Sequence, residues 1–140
     1  VLLQPTSPLR TAKHIDAAFQ QLIETNQRAI VSVCEAEHHP LWCNTLPENK
    51  TMSSFLNKEV HNKRSQDLPT YYRLNGAIYI CLIPLLKAEK TFLPSVDCSA
   101  YIMLQEDSID IDTKSDFDRA ELAVDRNTIE KSKLIGSVTG

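Results

Sequence analysis

The sequence predicts an α/β fold, a sheet flanked by helices, and three observations predict it. Strand-like apolar runs recur at residues 1–3, 29–34, 77–81 and 100–104. Between the first two lies a segment of helical period, residues 11–24. The run at 29–34 is apolar throughout, as in a strand covered on both faces. Strand, helix, strand in that order implies a right-handed parallel crossover. At 140 residues the chain fits one domain with a real core.

Each element has a local cause. Residues 1–3 form a strand that stops at Pro5 and Pro8, whose fixed φ angles and missing N–H groups stiffen the loop 4–10. Gln4, Thr6, Ser7 and Arg10 sit on this loop, at the strand end where an open α/β sheet places its ligand. The plain alternative is an ordinary proline-rich connection. Thr11 caps the first helix, in which Ile15, Ala18, Phe19, Leu22 and Ile23 share the inner face. Glu37, His38 and His39 follow the second strand and invite a metal reading. Adjacent histidines diverge, however, and a transition-metal site needs three or four converging ligands, so a polar, substrate-facing loop is the reading.

Residues 44–70 are polar and irregular, with Lys58, His61, Lys63 and Arg64 as cations. Such an excursion is a solvated loop, a functional one or an interface. Order returns at 77–81, where the preceding Gly76 allows a bend or close approach, and Arg73 and Asn75 lie two apart on one face. Pro84 opens a short helical turn, and Phe92 sits on a loop as an exposed-looking aromatic. A last helix starts at Ser115, and residues 131–140 read as a frayed tail.

The stretch 108–117 reads as a short strand running into that helix. Ile109 and Ile111 would point to the core, and Asp110 and Asp112 together to the other face. Two such carboxylates repel unless a cation lies between them, and oxygen ligands suit Mg2+ shared with phosphates. The alternative is an acidic strand end in water, with Asp116 or Ser115 capping the helix.

Composition narrows the function. A net charge of -3 offers no basic footprint for nucleic acid or a membrane surface. No apolar run approaches the roughly 20 residues of a membrane span. The first residues lack a secretory leader, and Cys34, Cys43, Cys81 and Cys98 have no paired spacing. Reduced cysteines and a cytoplasmic location are therefore expected, and the sequon at Asn49 is a chance match. Val1-Leu2-Leu3 looks like the inside of a strand, which leads us to expect a fragment of a longer protein.

Three stretches together go beyond spacing: Leu2-Leu3-Gln4-Pro5-Thr6-Ser7-Pro8-Leu9-Arg10, Arg73-Leu74-Asn75-Gly76-Ala77-Ile78-Tyr79-Ile80 and Ser108-Ile109-Asp110-Ile111-Asp112-Thr113. With Glu37-His38-His39-Pro40-Leu41 between them, they resemble the acylneuraminate cytidylyltransferases, the CMP-sialic acid synthetases, over about residues 1–125. The resemblance implies a nucleotide-diphospho-sugar-transferase-like mixed sheet flanked by helices, with residues 1–140 as the C-terminal part of a single domain. It implies an enzyme joining CTP to a nine-carbon 2-keto acid sugar, a sialic acid, with release of pyrophosphate.

By the same resemblance Asp110 and Asp112 hold Mg2+, and Arg73 and Asp112 are catalytic. Gln4, with Thr6 and Ser7, contacts the sugar acid; Arg73, Asn75 and Tyr79 line the sugar and phosphate region; Arg64 pairs with a carboxylate or phosphate. A homodimer exchanging an excursion at about residues 40–72 brings Phe92 to the partner's site. Two features depart from the pattern. The family's glycine- and lysine-rich phosphate loop has no counterpart here, where Gly76, Gly136 and Gly140 are the only glycines, so little activity is expected of the chain alone. Trp42 stands where a basic residue is common, which opens the choice among sialic, legionaminic and pseudaminic acids. The other readings are a non-catalytic homologue that dimerises or binds a sugar acid and, from fold alone, a cytidylyltransferase for a different keto acid such as Kdo, against which the contexts of Asp110 and Asp112 and of Arg73 and Asn75 argue.

Overall fold

The computed structural model describes residues 1–56, 60, 63–64 and 67–138, with side chains up to residue 126. Among these residues the chain forms three α-helices and a three-stranded sheet. The order is α1 (Ala12–Glu24), β1 (Ala29–Glu35), β2 (Tyr72–Cys81), α2 (Ile83–Glu89), β3 (Cys98–Ile102) and α3 (Lys114–Val138), with 3-10 turns at Pro40–Trp42 and Gln105–Asp107. The chain divides into two compact units, Val1–Cys34 with Leu74–Gly140, and Glu35–Arg73.

The sheet is mixed. Its order is β2-β1-β3, and β1 runs parallel to β3 with Ala29 opposite Cys98 and Val33 opposite Ile102. β2 is antiparallel to β1, since Leu82 N–H reaches Arg28 O at 2.9 Å while Ala36 N–H reaches Tyr71 O at 2.8 Å. Leu2 forms an antiparallel bridge with Tyr79, through bonds of 2.8 and 3.0 Å. The first strand-like run thus lies along β2, and β2 separates it from β1.

β1 is buried on both faces, as its apolar run predicts. Ile30 packs with Ala18 and Leu22 of α1, Ala77, Ile78 and Ile80 of β2, and Met103. Its neighbour Ala29 points to the opposite face, against Cys81 and Leu85, with Leu86, Phe92 and Cys98 at the edge. Each fully buried isoleucine contributes about 1.5–3 kcal/mol by leaving water. Thr11 caps α1 as expected, its hydroxyl accepting from His14 N–H while His14 Nδ1 accepts from Thr11 N–H.

Several expectations need correction. Ile23 is 71% exposed and Phe19 is also on the surface, because three strands offer α1 room only for the narrow stripe Ile15, Ala18, Leu22. β2 starts at Tyr72, five residues earlier than the apolar run. Residues 108–112 are not a strand: after the turn at Gln105–Asp107 the backbone continues without a ladder, with a bond from Ile111 N–H to Thr6 O at 2.9 Å. The expected frayed tail is helical to Val138. No helix among the described residues is long and apolar enough to cross a membrane.

Candidate functional site

In the first unit, the proline loop folds back on β2. Arg10 fixes it, one guanidinium nitrogen donating to Gln4 O at 3.1 Å and Ala77 O at 2.7 Å. Gly76 explains how close the loop comes. Its φ of 71° lies in the left-handed region, and the place a Cβ would take is filled by the Gln4 side-chain carbonyl, with Ser7 Oγ 3.4 Å away. Gln4, Ser7 and Asn75, three residues singled out in the sequence, are thus brought together.

Beneath them lies a buried polar network. Asn75 Oδ1 accepts from Ser32 Oγ at 2.6 Å and from Ala77 N–H at 3.2 Å. Asn75 Nδ2 donates to Ser108 Oγ at 2.9 Å, and Ser7 Oγ donates to Asn75 O at 3.2 Å. Ser32 Oγ in turn accepts from Ile78 N–H at 2.7 Å. Such a network is stable in a low-dielectric interior because its groups are paired. Ser32 and Ser108 were not singled out as site residues; the signal for Ser32 was a hydroxyl inside an otherwise apolar strand.

Asp110 and Asp112 follow Ser108. Asp112 is exposed, whereas Asp110 Oδ1 is buried and has no hydrogen-bond partner. A buried carboxylate oxygen without a donor is costly, and a hard cation is a partner that relieves it. Both carboxylates are oxygen donors of the kind a hard cation takes, although the strand alternation expected to put them on one face is not formed. No group of three or more His, Cys, Asp or Glu able to hold a metal occurs among the described residues. Thr113, rather than Ser115 or Asp116 alone, caps α3. Its N–H and hydroxyl donate to Asp116 Oδ2 at 2.9 and 2.7 Å, and its Oγ1 accepts from Asp116 N–H at 3.3 Å. The Thr113 hydroxyl, then its N–H, hold the Asp116 carboxyl below the usual range.

Thr6 is half-buried and lends its carbonyl to Ile111. Tyr79 is half-buried beside Leu2. Phe92 is half-buried against the cluster of Ala29, Cys81 and Leu85, so the full exposure expected of it is not found.

The second unit carries Arg64 and Arg73. Arg73 grips Glu37 with two parallel bonds, Nε to Oε2 at 2.8 Å and Nη2 to Oε1 at 2.5 Å. Next to this pair a cleft of about 530 Å³ is lined by Glu37, His38, His39, Trp42, Pro69 and Tyr71, among others. His39 is held on edge, its ring 4.5 Å from that of Tyr71, with Nδ1 accepting from Leu41 N–H at 3.2 Å and Nε2 3.0 Å from Pro69 O. Trp42 Nε1 is buried there without a partner. Arg64 is exposed, and its N–H donates to Asp67 Oδ2 at 3.4 Å. Lys58 and His61 lie outside the described residues.

No protein-family model matches the chain. It is 38% identical over 117 residues to an N-acylneuraminate cytidylyltransferase of Streptococcus agalactiae serotype V, covering 84% of this chain and 28% of that protein. It is 36% identical over 135 residues to an N-acylneuraminate cytidylyltransferase of Escherichia coli O18:K1:H7, covering 94% of this chain and 30% of the relative. A CMP-N,N'-diacetyllegionaminic acid synthase of Legionella pneumophila is 29% identical over 133 residues, covering 91% of this chain and 54% of that protein. The chain therefore spans about 28% of the length of the curated relatives it matches first.

Proposed function

We propose that this chain, homologous to a part of the N-acylneuraminate cytidylyltransferases, belongs to an enzyme that activates a sialic acid with CTP, giving CMP-sialic acid and pyrophosphate. The observation that carries the reading is the 38% identity over 84% of the chain. In this reaction the sugar's anomeric hydroxyl attacks the α-phosphorus, a new P–O bond to the sugar forms, the bond to pyrophosphate breaks and the hydroxyl proton is lost. Mg2+ bound with the nucleotide supplies charge neutralisation on the phosphates.

The chain's own residues would bind and orient. Asp110 and Asp112 hold the cation, and the unpartnered Asp110 Oδ1 supports that role. Gln4, Thr6 and Tyr79 face the sugar acid, while Ser7, expected there too, is fully buried and holds the loop through its bond to Asn75 O. Arg73 suits a carboxylate, as its fork already grips one in Glu37. Arg64 adds a second cation for carboxylate or phosphate. In a homodimer with shared sites, Phe92 would approach the partner's substrate.

A second reading, a legionaminic acid substrate in place of a sialic acid, is raised by the 29% identity to the Legionella protein, below the 36% and 38% of the sialic acid enzymes. The test is formation of the CMP-sugar and pyrophosphate from CTP, Mg2+ and either N-acetylneuraminic or diacetyllegionaminic acid, by the complete polypeptide that carries these residues. We expect turnover with one sugar, and a loss of more than ~100-fold in kcat for Asp112→Asn with the melting temperature unchanged. No product from either sugar, or full activity in Asp112→Asn, would overturn the reading or its metal assignment respectively.

A further inference from the structure

We infer that Asn75 is a positioning residue for the Asp110 carboxylate and does not touch the sugar acid; this rests on the metal-holding role proposed above for Asp110 and Asp112. Asn75 is 1% exposed and has no surface to offer a ligand. Both polar ends of its side chain are engaged inside the protein, Oδ1 by Ser32 and Ala77 N–H, Nδ2 by Ser108 Oγ at 2.9 Å and Met103 Sδ at 3.4 Å.

Those bonds lead to the carboxylate from both sides. Ser108, fully buried, stands two residues before Asp110, and its hydroxyl accepts from Asn75 while donating to Leu104 O at 2.7 Å. A hydroxyl that accepts and donates at once has a fixed orientation. On the far side Ile111 N–H is held by Thr6 O, and the next residue, Ser7, donates to Asn75 O. Asp110 thus sits between two anchors that meet at Asn75. Its Oδ1 is buried without a bond of its own, a placement the carboxylate keeps only if the backbone around it is held. Asn75, Ser108 and Ser7 hold that backbone, leaving the oxygen available to a cation.

The test uses Mn2+ alone as the probe, titrated into 15N-labelled protein. The readout is paramagnetic broadening of the backbone amides of residues 109–113, which gives an apparent dissociation constant. Asn75→Ala and Ser108→Ala should each weaken Mn2+ binding about tenfold, as loss of a group that orients a metal ligand does. Ser32→Ala, a hydroxyl of the same network with no bond of its own to the carboxylate segment, should bind Mn2+ like the parent. Should Asn75→Ala fail to fold, Ser108→Ala decides the matter. Parent-like Mn2+ affinity in Ser108→Ala, or an equal loss in Ser32→Ala, overturns the positioning role alone, provided Asp110→Asn has lost Mn2+. Unchanged binding in Asp110→Asn, or no broadening in the parent, overturns the metal reading and this inference with it.

Discussion

At the scale of the residue, Gly76 makes the proline loop possible. It combines a φ of 71° with a missing Cβ whose place is filled by the Gln4 side-chain carbonyl. Gly76→Ala must therefore adopt a strained backbone and push Gln4 aside, for which we expect a loss of about 1–3 kcal/mol in unfolding free energy, measured by urea denaturation. A wild-type midpoint would mean that the loop does not lie on β2 as described. The sequence already marked this glycine as a place of close approach, and it marked Gln4, Ser7 and Asn75. What it could not mark was direction. An asparagine beside a glycine can face solvent or core, and spacing along a strand leaves both open. Only its partners in other elements, Ser32 and Ser108, make Asn75 an interior residue. Arg10 is a similar case: a cation on a ligand-facing loop whose guanidinium is bonded to two backbone carbonyls.

At the scale of the element, legibility followed local causes. The capped helix α1, the buried strand β1 and the proline-led α2 rest on caps, apolar runs and fixed φ angles, and each formed where it was expected. Residues 108–112 alternate like a strand, but a strand exists only with a neighbour to bond, and here the backbone meets a loop. The tail beyond residue 130 lacks an apolar period, yet α3 carries its helix through it to Val138. The cap of α3 yields a pH prediction. Asp116 titrates below the usual carboxylate range because the Thr113 hydroxyl and N–H bond its ionised form. Stability from this bond is complete above the ordinary carboxylate pKa of about 4 and is lost as pH falls through the lower folded value. Asp116→Ala should therefore melt below the parent at neutral pH, with the gap closing as the buffer is taken below about pH 4. A gap that stayed constant with pH would remove the ionised cap as its cause.

At the scale of the whole molecule, the four cysteines report packing in both units. Cys43 is exposed in the second unit, while Cys34 and Cys81 are buried in the first and Cys98 is half-buried there. The thiolate is the reactive form, and burial, reinforced by the nearby Cys81, pushes the Cys98 thiol above its ordinary value. A thiol reagent at pH 8 should accordingly find one fast site, removed by Cys43→Ser, and a slower one at Cys98. Cys34 lies in β1 and Cys81 at the end of β2, so their thiols open only when the sheet does. Their labelling rate should rise with urea in step with loss of the sheet's circular dichroism signal, and four thiols should be counted once the chain is unfolded. Rapid labelling of Cys34 or Cys81 in the native protein would show that β1 is not covered on both faces, and with it would fall the buried frame on which Ser32, Asn75 and Asp110 depend.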